Sequence, residues 1–291
     1  MEKEKALENL KLILTSPNPR PPSTVTSYLS SSNLFLTWLD GKLPPDDMDV
    51  RRYFVNRRSL GQKESTLSKT FQVLKRLFEA NEWEWKFTNR DRPEVPVEYI
   101  TPAFTQGEVA QLIRKRDLYT HNECFYLATA SVYGPRRIEL ARIGPKSIRG
   151  NSLFVDTAKK GEKRTHLIPE ELMPYFKAYH PREHNVSALS ATFNRVVKKA
   201  GLPQRKGYGW HTFRHTLDTL LPTACAKADI PLTFVGYFLR WSRKSWGARI
   251  LGAAMAGAYA RPEILSDDPF YIDKQIFSVH PFLPLWVESG Q

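Results

Sequence analysis

Four short strings contain residue types that could act together on an anionic group. They are YGPRRIELARI at 133–143, a lysine-rich turn at 159–161, GWHTFRHT at 209–216, and FLRWS at 238–242 followed by AGAYAR at 256–261. Forked guanidinium groups can hold both free oxygens of a phosphodiester, an imidazole can accept a proton, a lysine can supply one, and a phenol can become a nucleophile. The combination is therefore suited to attack on a phosphodiester.

Taken singly, each string is more often structural than functional. Paired arginines usually lie on a solvated helix face, Lys-Gly is common in turns, and a tyrosine in an Ala/Gly-rich helix is more often part of a core. The occurrence of all four strings in one chain, in this order, favours the functional interpretation.

The charge of the chain indicates a polyanionic partner. The formal net charge is +13, of which residues 1–100 contribute +2 and residues 101–291 contribute +11. Within 51–76, eight basic residues accompany a single acid, Glu64. Basic charge gathered in particular stretches is typical of proteins that contact a phosphate backbone. The predicted DNA-contacting residues are Arg51, Arg57, Lys63, Lys69, Arg76, Lys163 and Arg164.

Other features of composition narrow the class of protein. The two cysteines, Cys124 and Cys225, lie far apart in apolar helical contexts, so we expect buried, reduced thiols. We expect no metal, since no cluster of cysteine and histidine ligands is present. The charged, amphipathic N-terminus resembles neither a signal peptide nor a membrane span. A cytosolic, nucleoid-associated protein is expected.

Apolar periodicity predicts that residues 1–87 form a small all-helical domain. Its first helix is followed by the Pro-rich run SPNPRPPS, and Ser23 and Thr24 are predicted to cap the second. The third has acids in its first turn, and the fourth, 63–82, has a clear apolar face. The predicted helices are 2–14, 23–39, 46–57 and 63–82.

Residues 88–104 carry three prolines without helical periodicity and are the predicted linker to a second domain, 105–291. Thr105 and Glu108 form a capping-box pattern that opens this domain. Two β-prone runs, 151–158 and 164–169, flank a Gly-containing turn and predict a hairpin. The remaining predicted helices are 122–133, one from about 136, 170–180, 187–200, 211–221, 230–240 and 247–259. The predicted class is mainly α with a small β-hairpin, in two domains that clamp DNA.

Over essentially its full length the chain resembles the tyrosine recombinases of the phage-integrase, Xer and Cre type. Gly134-Pro-Arg136-Arg-Ile-Glu139 is similar to the family's first arginine box, with Arg137 as the alternative register. Lys160, in Lys-Lys-Gly-Glu-Lys, matches the family's hairpin lysine. The family's His-x-x-Arg box falls on His211 and Arg214.

The resemblance continues towards the C-terminus, with one departure in spacing. His215 is usual after the second arginine, and Trp241 occupies the family's His/Trp position. The family's usual spacing would place the nucleophile at Ile250, whereas Tyr259 lies eighteen residues after Trp241. We interpret the difference as an insertion and keep Tyr259 as the nucleophile. Tyr237 and Tyr271 are the reserve candidates.

The resemblance implies a role for each matching residue. Arg136 and Arg214 would hold the phosphate oxygens, with Glu139 and His215 in support. His211 would act as the base for the tyrosine, and Lys160 would protonate the departing oxygen. The Trp241 indole would pack behind the phosphate and give it one N–H.

The implied function is that of an integrase that cuts and rejoins duplex DNA through a 3′-phosphotyrosine link, without metal or cofactor. The implied assembly is a homo-oligomer, a tetrameric synapse on DNA, and the gene is expected on a virus, plasmid or other mobile element. Three alternatives stay open: a type IB topoisomerase-like enzyme, a telomere-resolving enzyme, and an inactive DNA-binding protein on the same fold.

The chain ends in the apolar run IFSVHPFLPLWV, 276–287. We expect this tail to dock on its own core. The alternative, suggested by the family, is a tail donated to a neighbouring protomer. The long spacing before Tyr259 could likewise let that tyrosine reach a neighbour's site.

Overall fold

A computed structural model describes residues 2–96, 101–157, 163–179, 186–242 and 265–287. The chain divides into two compact units, residues 1–100 and residues 101–291. The boundary between these units falls inside the stretch predicted as a linker, 88–104.

The N-terminal unit is built around helix packing. The predicted apolar face of its fourth helix is confirmed, because Leu67, Phe71, Leu74, Leu77 and Phe78 are all buried. The first helix packs against the second and fourth. The helices are α1 Glu2–Thr15, α2 Pro22–Trp38, α3 Asp47–Ser59 and α4 Glu64–Ala80.

The start of α2 corrects one prediction. Ser23 and Thr24 lie inside the first turn and cap nothing, since the N-cap residue is Pro21 and no side chain bonds the first amides. Pro22 at the first helical position removes one of the amides that have no partner within the helix. By contrast, α3 begins at a capping box in which the side chains of Asp46 and Asp49 each accept the other's backbone N–H, both at 2.9 Å.

The C-terminal unit is mainly helical. The predicted capping box is confirmed, since Thr105 Oγ1 accepts the Glu108 N–H at 3.2 Å and Glu108 accepts the Thr105 N–H at 2.9 Å. The helices are α5 Gln106–Arg114, α6 His121–Tyr133, α7 Arg137–Arg142, α8 Met173–Lys177, α9 Val186–Lys199, α10 Trp210–Lys227, α11 Leu232–Phe238, α12 Tyr271–Ser278 and α13 Pro284–Val287.

A small antiparallel sheet replaces the helical pattern between α7 and α8. Its strands are β1 Ile148–Arg149, β2 Ser152–Val155 and β3 Arg164–Leu167, in the order β1-β2-β3. The β2–β3 pairing, from Ser152↔Leu167 to Val155↔Arg164, confirms the predicted hairpin. The sequence pattern does not predict β1, because two residues are too few to show alternation. The turn that carries Lys160 lies outside the described residues.

Two helices differ from their predicted bounds in instructive ways. The helix predicted to end at Leu221 continues through Pro222 to Lys227. Buried Leu221 and Cys225 hold this segment against the core, which outweighs the lost backbone hydrogen bond. Within the predicted 230–240, the helix itself ends at Phe238.

The C-terminal tail packs on the core of its own chain, as expected. Ile276, Phe282 and Trp286 are buried in the main core of the unit. Trp286 Nε1 donates to Ser131 Oγ at 3.2 Å, and His280 bonds the Val132 carbonyl through Nε2 at 3.0 Å. The sequence pattern does not predict helices α12 and α13, since the prolines around the second break its periodicity.

Among the described residues, no helix combines the length and the apolar character needed to cross a bilayer.

Trp286→Ala should lower the free energy of unfolding by about 3–5 kcal/mol, because it removes a buried indole and leaves a cavity. The measurement is urea unfolding followed by circular dichroism. Val287→Ala, on the exposed side of the same helix, is the matched control and should change stability by less than about 0.5 kcal/mol. A transition midpoint that rises with protein concentration would instead support a tail exchanged between protomers.

Candidate active site

The site is organised by the turn between α6 and α7. Gly134 ends α6 at φ 52°, in the left-handed region. A Cβ there would lie 3.1 Å from Leu217 and 3.3 Å from the Arg214 Cα, so glycine is favoured both by its conformation and by the close approach of α10. This turn therefore brings the first arginine box against the second.

Arg136 is held by the first acid of its own helix. Glu139 Oε1 accepts a hydrogen bond from Arg136 Nη1 at 2.7 Å, and Oε2 accepts the Arg136 backbone N–H at 2.9 Å. Burial would raise the pKa of Glu139, but the charges of Arg240 and Arg136 and these hydrogen bonds lower it. Glu139 is thus an ionised anchor that orients Arg136, which keeps about a quarter of its side chain exposed, 23%.

Arg214 lies on α10 and is nearly fully buried. Its Nη1 donates to the Gly134 carbonyl at 3.0 Å, and its Nη2 donates to the Leu239 carbonyl, at the end of α11. Carbonyl groups at helix C-termini lack intrahelical partners and carry partial negative charge. Two helix ends therefore fix the second arginine.

His211 lies one turn before Arg214 and is close to both arginines. Burial, followed by the nearby charges of His215, Arg214 and Arg136, lowers its pKa to about 4. Its Nδ1 is buried and finds no hydrogen-bond partner among the described residues. The imidazole is therefore neutral at neutral pH and able to accept a proton.

Trp241 departs from its predicted contact. The indole is buried and its Nε1 donates to Asp218 Oδ1 at 3.1 Å, so this N–H is engaged within the chain rather than offered to a phosphate. Asp218 Oδ2 also lies 3.8 Å from His215 Nδ1, and the ring of His215 meets that of His211 edge-on at 4.4 Å. Asp218 thus connects Trp241 with the two histidines.

The two arginines of the first box lie in different surroundings. Arg137 is exposed and donates to Ser190 Oγ at 3.1 Å, away from the Glu139 anchor. Arg136, His211 and Arg214 come together, since the charges of both arginines act on the His211 ring. This favours Arg136 over Arg137 as the box arginine.

The remaining predicted site residues divide into two groups. Lys160 and Tyr259 lie outside the described residues. The reserve tyrosines have structural contacts: the Arg164 guanidinium lies 4.0 Å from the ring centre of Tyr237, and Tyr271 packs edge-on against Phe234 at 5.9 Å.

The prediction that Arg164 contacts DNA is wrong. Its side chain is buried, and Nη2 is paired with Asp273 Oδ1 at 2.7 Å. Lys163 is exposed and lies 3.2 Å from Asp156. The other predicted contacts, Arg51, Arg57, Lys63, Lys69 and Arg76, are exposed or half-buried and stay predictions.

Sequence reasoning missed a buried polar network behind Arg136. Arg240 lies 3.7 Å from Glu139 and donates to His166 Nε2 at 2.7 Å, and His166 Nδ1 donates to Asp273 at 3.2 Å. Arg240 follows α11, whereas His166 lies on β3 and Asp273 on α12. No local pattern marks them, because their spacing in the chain follows no helical or strand period.

No protein-family model and no curated protein matches the chain, whereas solved structures do. A lambda integrase dimer bound to a COC′ core site has a TM-score of 0.64 at 15% identity, covering 84% of this chain and 94% of that chain. XerH recombinase bound to difH has a TM-score of 0.57 at 14% identity, covering 91% of this chain and 85% of that chain. The Tn1549 transposon integrase in complex with a circular intermediate DNA has a TM-score of 0.58 at 14% identity, covering 87% of this chain and 98% of that chain. The chain thus has the tyrosine recombinase fold, and the predicted class, mainly helical with a small sheet, is confirmed.

Three histidines in the described part of this unit, two of them buried and His211 half-buried, predict a loss of stability in mild acid. Burial lowers the pKa of His166, His211 and His280 from 6.5 to about 4. Between these values the unfolded chain binds more protons than the folded one, so stability present above pH 6.5 is lost as pH falls. The free energy of unfolding should fall by up to about 1.4 kcal/mol per pH unit for each fully buried histidine.

Urea unfolding at pH 7 and pH 5 measures this effect. The carboxylates whose pKa is lowered, Asp273 and Glu139, lose their contribution only below their ordinary values of 3.8 and 4.5, so the window above pH 5 reports the histidines. Equal stability at the two pH values would contradict the assignment of buried, neutral imidazoles.

Proposed function

We propose that this protein is a site-specific DNA recombinase, an integrase that cleaves and rejoins duplex DNA through a covalent 3′-phosphotyrosine intermediate. The observation that supports it most is the meeting of Arg136, His211 and Arg214 at the Gly134 turn, within the recombinase fold. These residues come from two boxes some eighty positions apart.

The two arginines suit the binding of a phosphodiester. Arg214 is fixed by two main-chain carbonyls and Arg136 by Glu139, so both guanidinium groups are oriented before a substrate binds. Donors fixed in advance stabilise the charge that develops on the non-bridging oxygens during attack, without reorganisation.

The proposed step transfers phosphorus from the DNA chain to the tyrosine. The Tyr259 oxygen forms a bond to phosphorus while the bond from phosphorus to the 5′ oxygen breaks. His211, neutral at neutral pH, takes the phenol proton, and Lys160 protonates the departing oxygen. The assignments of Tyr259 and Lys160 rest on the sequence resemblance. The reversal of this step by a different 5′ hydroxyl completes strand exchange and needs no metal or cofactor.

The proposed partner is duplex DNA, bound by a tetramer of this chain during strand exchange. The surplus of positive charge, +13, supports a polyanionic ligand. One structure of similar fold is that of a lambda integrase tetramer bound to a Holliday junction, with a TM-score of 0.61 at 16% identity. The exposed basic residues of the N-terminal unit are the proposed backbone contacts, and a virus, plasmid or transposon is the proposed source of the gene.

Covalent trapping tests the proposal. A duplex selected by this protein from a random-sequence pool is nicked beside each candidate scissile position, so that the short fragment leaves after cleavage. We expect a protein–DNA adduct that resists denaturation, forms in the presence of a metal chelator, and is lost in Tyr259→Phe. Mass spectrometry of the linked peptide identifies the nucleophile.

The outcomes separate the alternatives. An adduct that persists in Tyr259→Phe would move the nucleophile to Tyr237 or Tyr271. Relaxation of a supercoiled plasmid without the selected site would favour a topoisomerase, and tight binding without any adduct would favour an inactive DNA-binding protein.

A matched pair of variants tests the arginine register. Arg136→Ala should slow formation of the adduct by about 10²- to 10³-fold, as loss of one fixed donor does, while Arg137→Ala should stay within about threefold of wild type. The measurement is the single-turnover cleavage rate at saturating protein. If Arg137→Ala were the slower variant, the box would be shifted by one residue.

A further inference from the structure

Arg240 occupies a backbone position that disfavours a large side chain. It follows α11 at φ 56°, where its N–H bonds the Tyr237 carbonyl at 3.1 Å and the next N–H, of Trp241, bonds the Gly236 carbonyl at 2.9 Å. This is a Schellman ending, in which glycine usually occupies the left-handed position. A left-handed conformation is strained for a non-glycine residue, so the contacts of the Arg240 side chain must offset that strain.

The guanidinium of Arg240 is fully buried. It donates to the Tyr133 carbonyl at 3.0 Å, to the Phe238 carbonyl at 3.2 Å and to His166 Nε2 at 2.7 Å. Its Nε is buried and has no hydrogen-bond partner among the described residues. Since one donor is left without a partner, hydrogen bonding alone is a weak reason for an arginine here.

The electrostatic position of Arg240 is more informative. Its Nη2 lies 3.7 Å from Glu139 Oε2, while Arg136 bonds the other oxygen, Oε1, at 2.7 Å. A single buried carboxylate therefore lies between two guanidinium groups, one reaching the site and one enclosed behind it. Burial lowers the pKa of Arg240 to about 9, which leaves it charged at neutral pH.

Charge in the connected network is balanced except for this residue. Among the described residues, the network joins three guanidinium groups with two carboxylates: Arg136, Arg164 and Arg240 with Glu139 and Asp273. Asp273 is compensated by Arg164 at 2.7 Å. If Arg240 were neutral, Glu139 would be compensated by Arg136 alone, and the network would offer an incoming anion no surplus charge.

His166 keeps Arg240 in place. Its Nε2 accepts from Arg240 and its Nδ1 donates to Asp273, which also accepts the Leu167 backbone N–H at 2.7 Å. Burial lowers the pKa of His166 to about 4, so the imidazole stays neutral and retains this acceptor. The β-hairpin and α12 thereby support the arginine.

We propose that Arg240 is a positioning residue for the anion site: it compensates Glu139 from the protein interior, so that the charge of Arg136 remains available to the scissile phosphate. This inference rests on the proposed recombinase function. Arg240 itself touches no substrate.

Two variants of similar size distinguish the effect of the Arg240 charge from the effect of its hydrogen bonds. Arg240→Lys keeps the charge and loses the fork, whereas Arg240→Gln keeps an amide donor and loses the charge. We expect Arg240→Lys to slow single-turnover cleavage by less than about tenfold and Arg240→Gln by about 100-fold, with duplex affinity within about threefold of wild type for both. A glutamine variant that cleaves as fast as the lysine variant, or faster, would overturn the proposal.

A double variant keeps the test decisive if Arg240→Gln folds poorly. Adding Glu139→Gln to Arg240→Gln removes the carboxylate that Arg136 would otherwise compensate alone, and so restores the surplus charge. The double variant should melt at a higher temperature than Arg240→Gln and cleave about tenfold faster. A double variant no better than the single one in both measurements would contradict a role in charge compensation.

An anion titration separates this inference from the proposed function. Sulfate replaces chloride at constant ionic strength, and the melting temperature of each variant gives an apparent sulfate affinity. Sulfate should bind Arg240→Gln about tenfold more weakly than wild type or Arg240→Lys. If wild type forms no DNA adduct but this order holds, the recombinase proposal fails and the role of Arg240 stands. Equal sulfate affinities in all three proteins would overturn the role of Arg240.

Discussion

Like charges must be held close together inside the protein before any anion arrives. The charges of Arg136 and Arg214 both act on Arg240, and Arg214 and Arg240 are removed from water. Two kinds of negative group offset their repulsion: the carboxylate of Glu139 and the carbonyl oxygens at the ends of α6 and α11. The carbonyl groups at the ends of these two helices accept hydrogen bonds from Arg214 and Arg240. The candidate active site therefore lies where the two helix ends meet.

The geometry of the turns follows from that requirement. α6 ends at Gly134, whose left-handed conformation exposes its carbonyl to Arg214 while its missing side chain lets α10 approach. α11 ends at Phe238 and is followed by Arg240, which has the same left-handed conformation, and the Leu239 carbonyl between them accepts from Arg214. The turn after α6 favours glycine because space is short, whereas the turn after α11 holds an arginine that lies 3.7 Å from Glu139.

The same surroundings explain why the histidines are neutral. Burial disfavours a charged imidazole, and repulsion from the nearby arginines acts in the same direction. His211 and His166 are therefore neutral, one as a candidate proton acceptor and the other as a fixed acceptor for Arg240. The polar network extends through Asp273 to the base of the hairpin, so the strands that lead towards Lys160 share support with the arginines.

Much of this protein is determined by local sequence. The apolar stripe of α4, the capping box at Thr105 and the alternating strands of the hairpin have short-range physical causes, and each was predictable. The order and spacing of the boxes around Arg136, His211 and Arg214 likewise indicated the chemistry. Short elements such as β1, and the tail helices interrupted by proline, carry too little periodicity to be predicted.

Tertiary structure decided the rest, because burial and charge compensation depend on residues distant in the chain. Arg164 looked like a DNA contact until the fold placed Asp273, more than a hundred positions away, against it. Trp241 looked available to a phosphate, but Asp218 accepts its N–H. Arg240 is one basic residue among many in the sequence. Only the fold places its charge beside Glu139 and His166. Residue types and their spacing therefore determined which chemistry is possible, whereas the fold decided which charges are free to perform it.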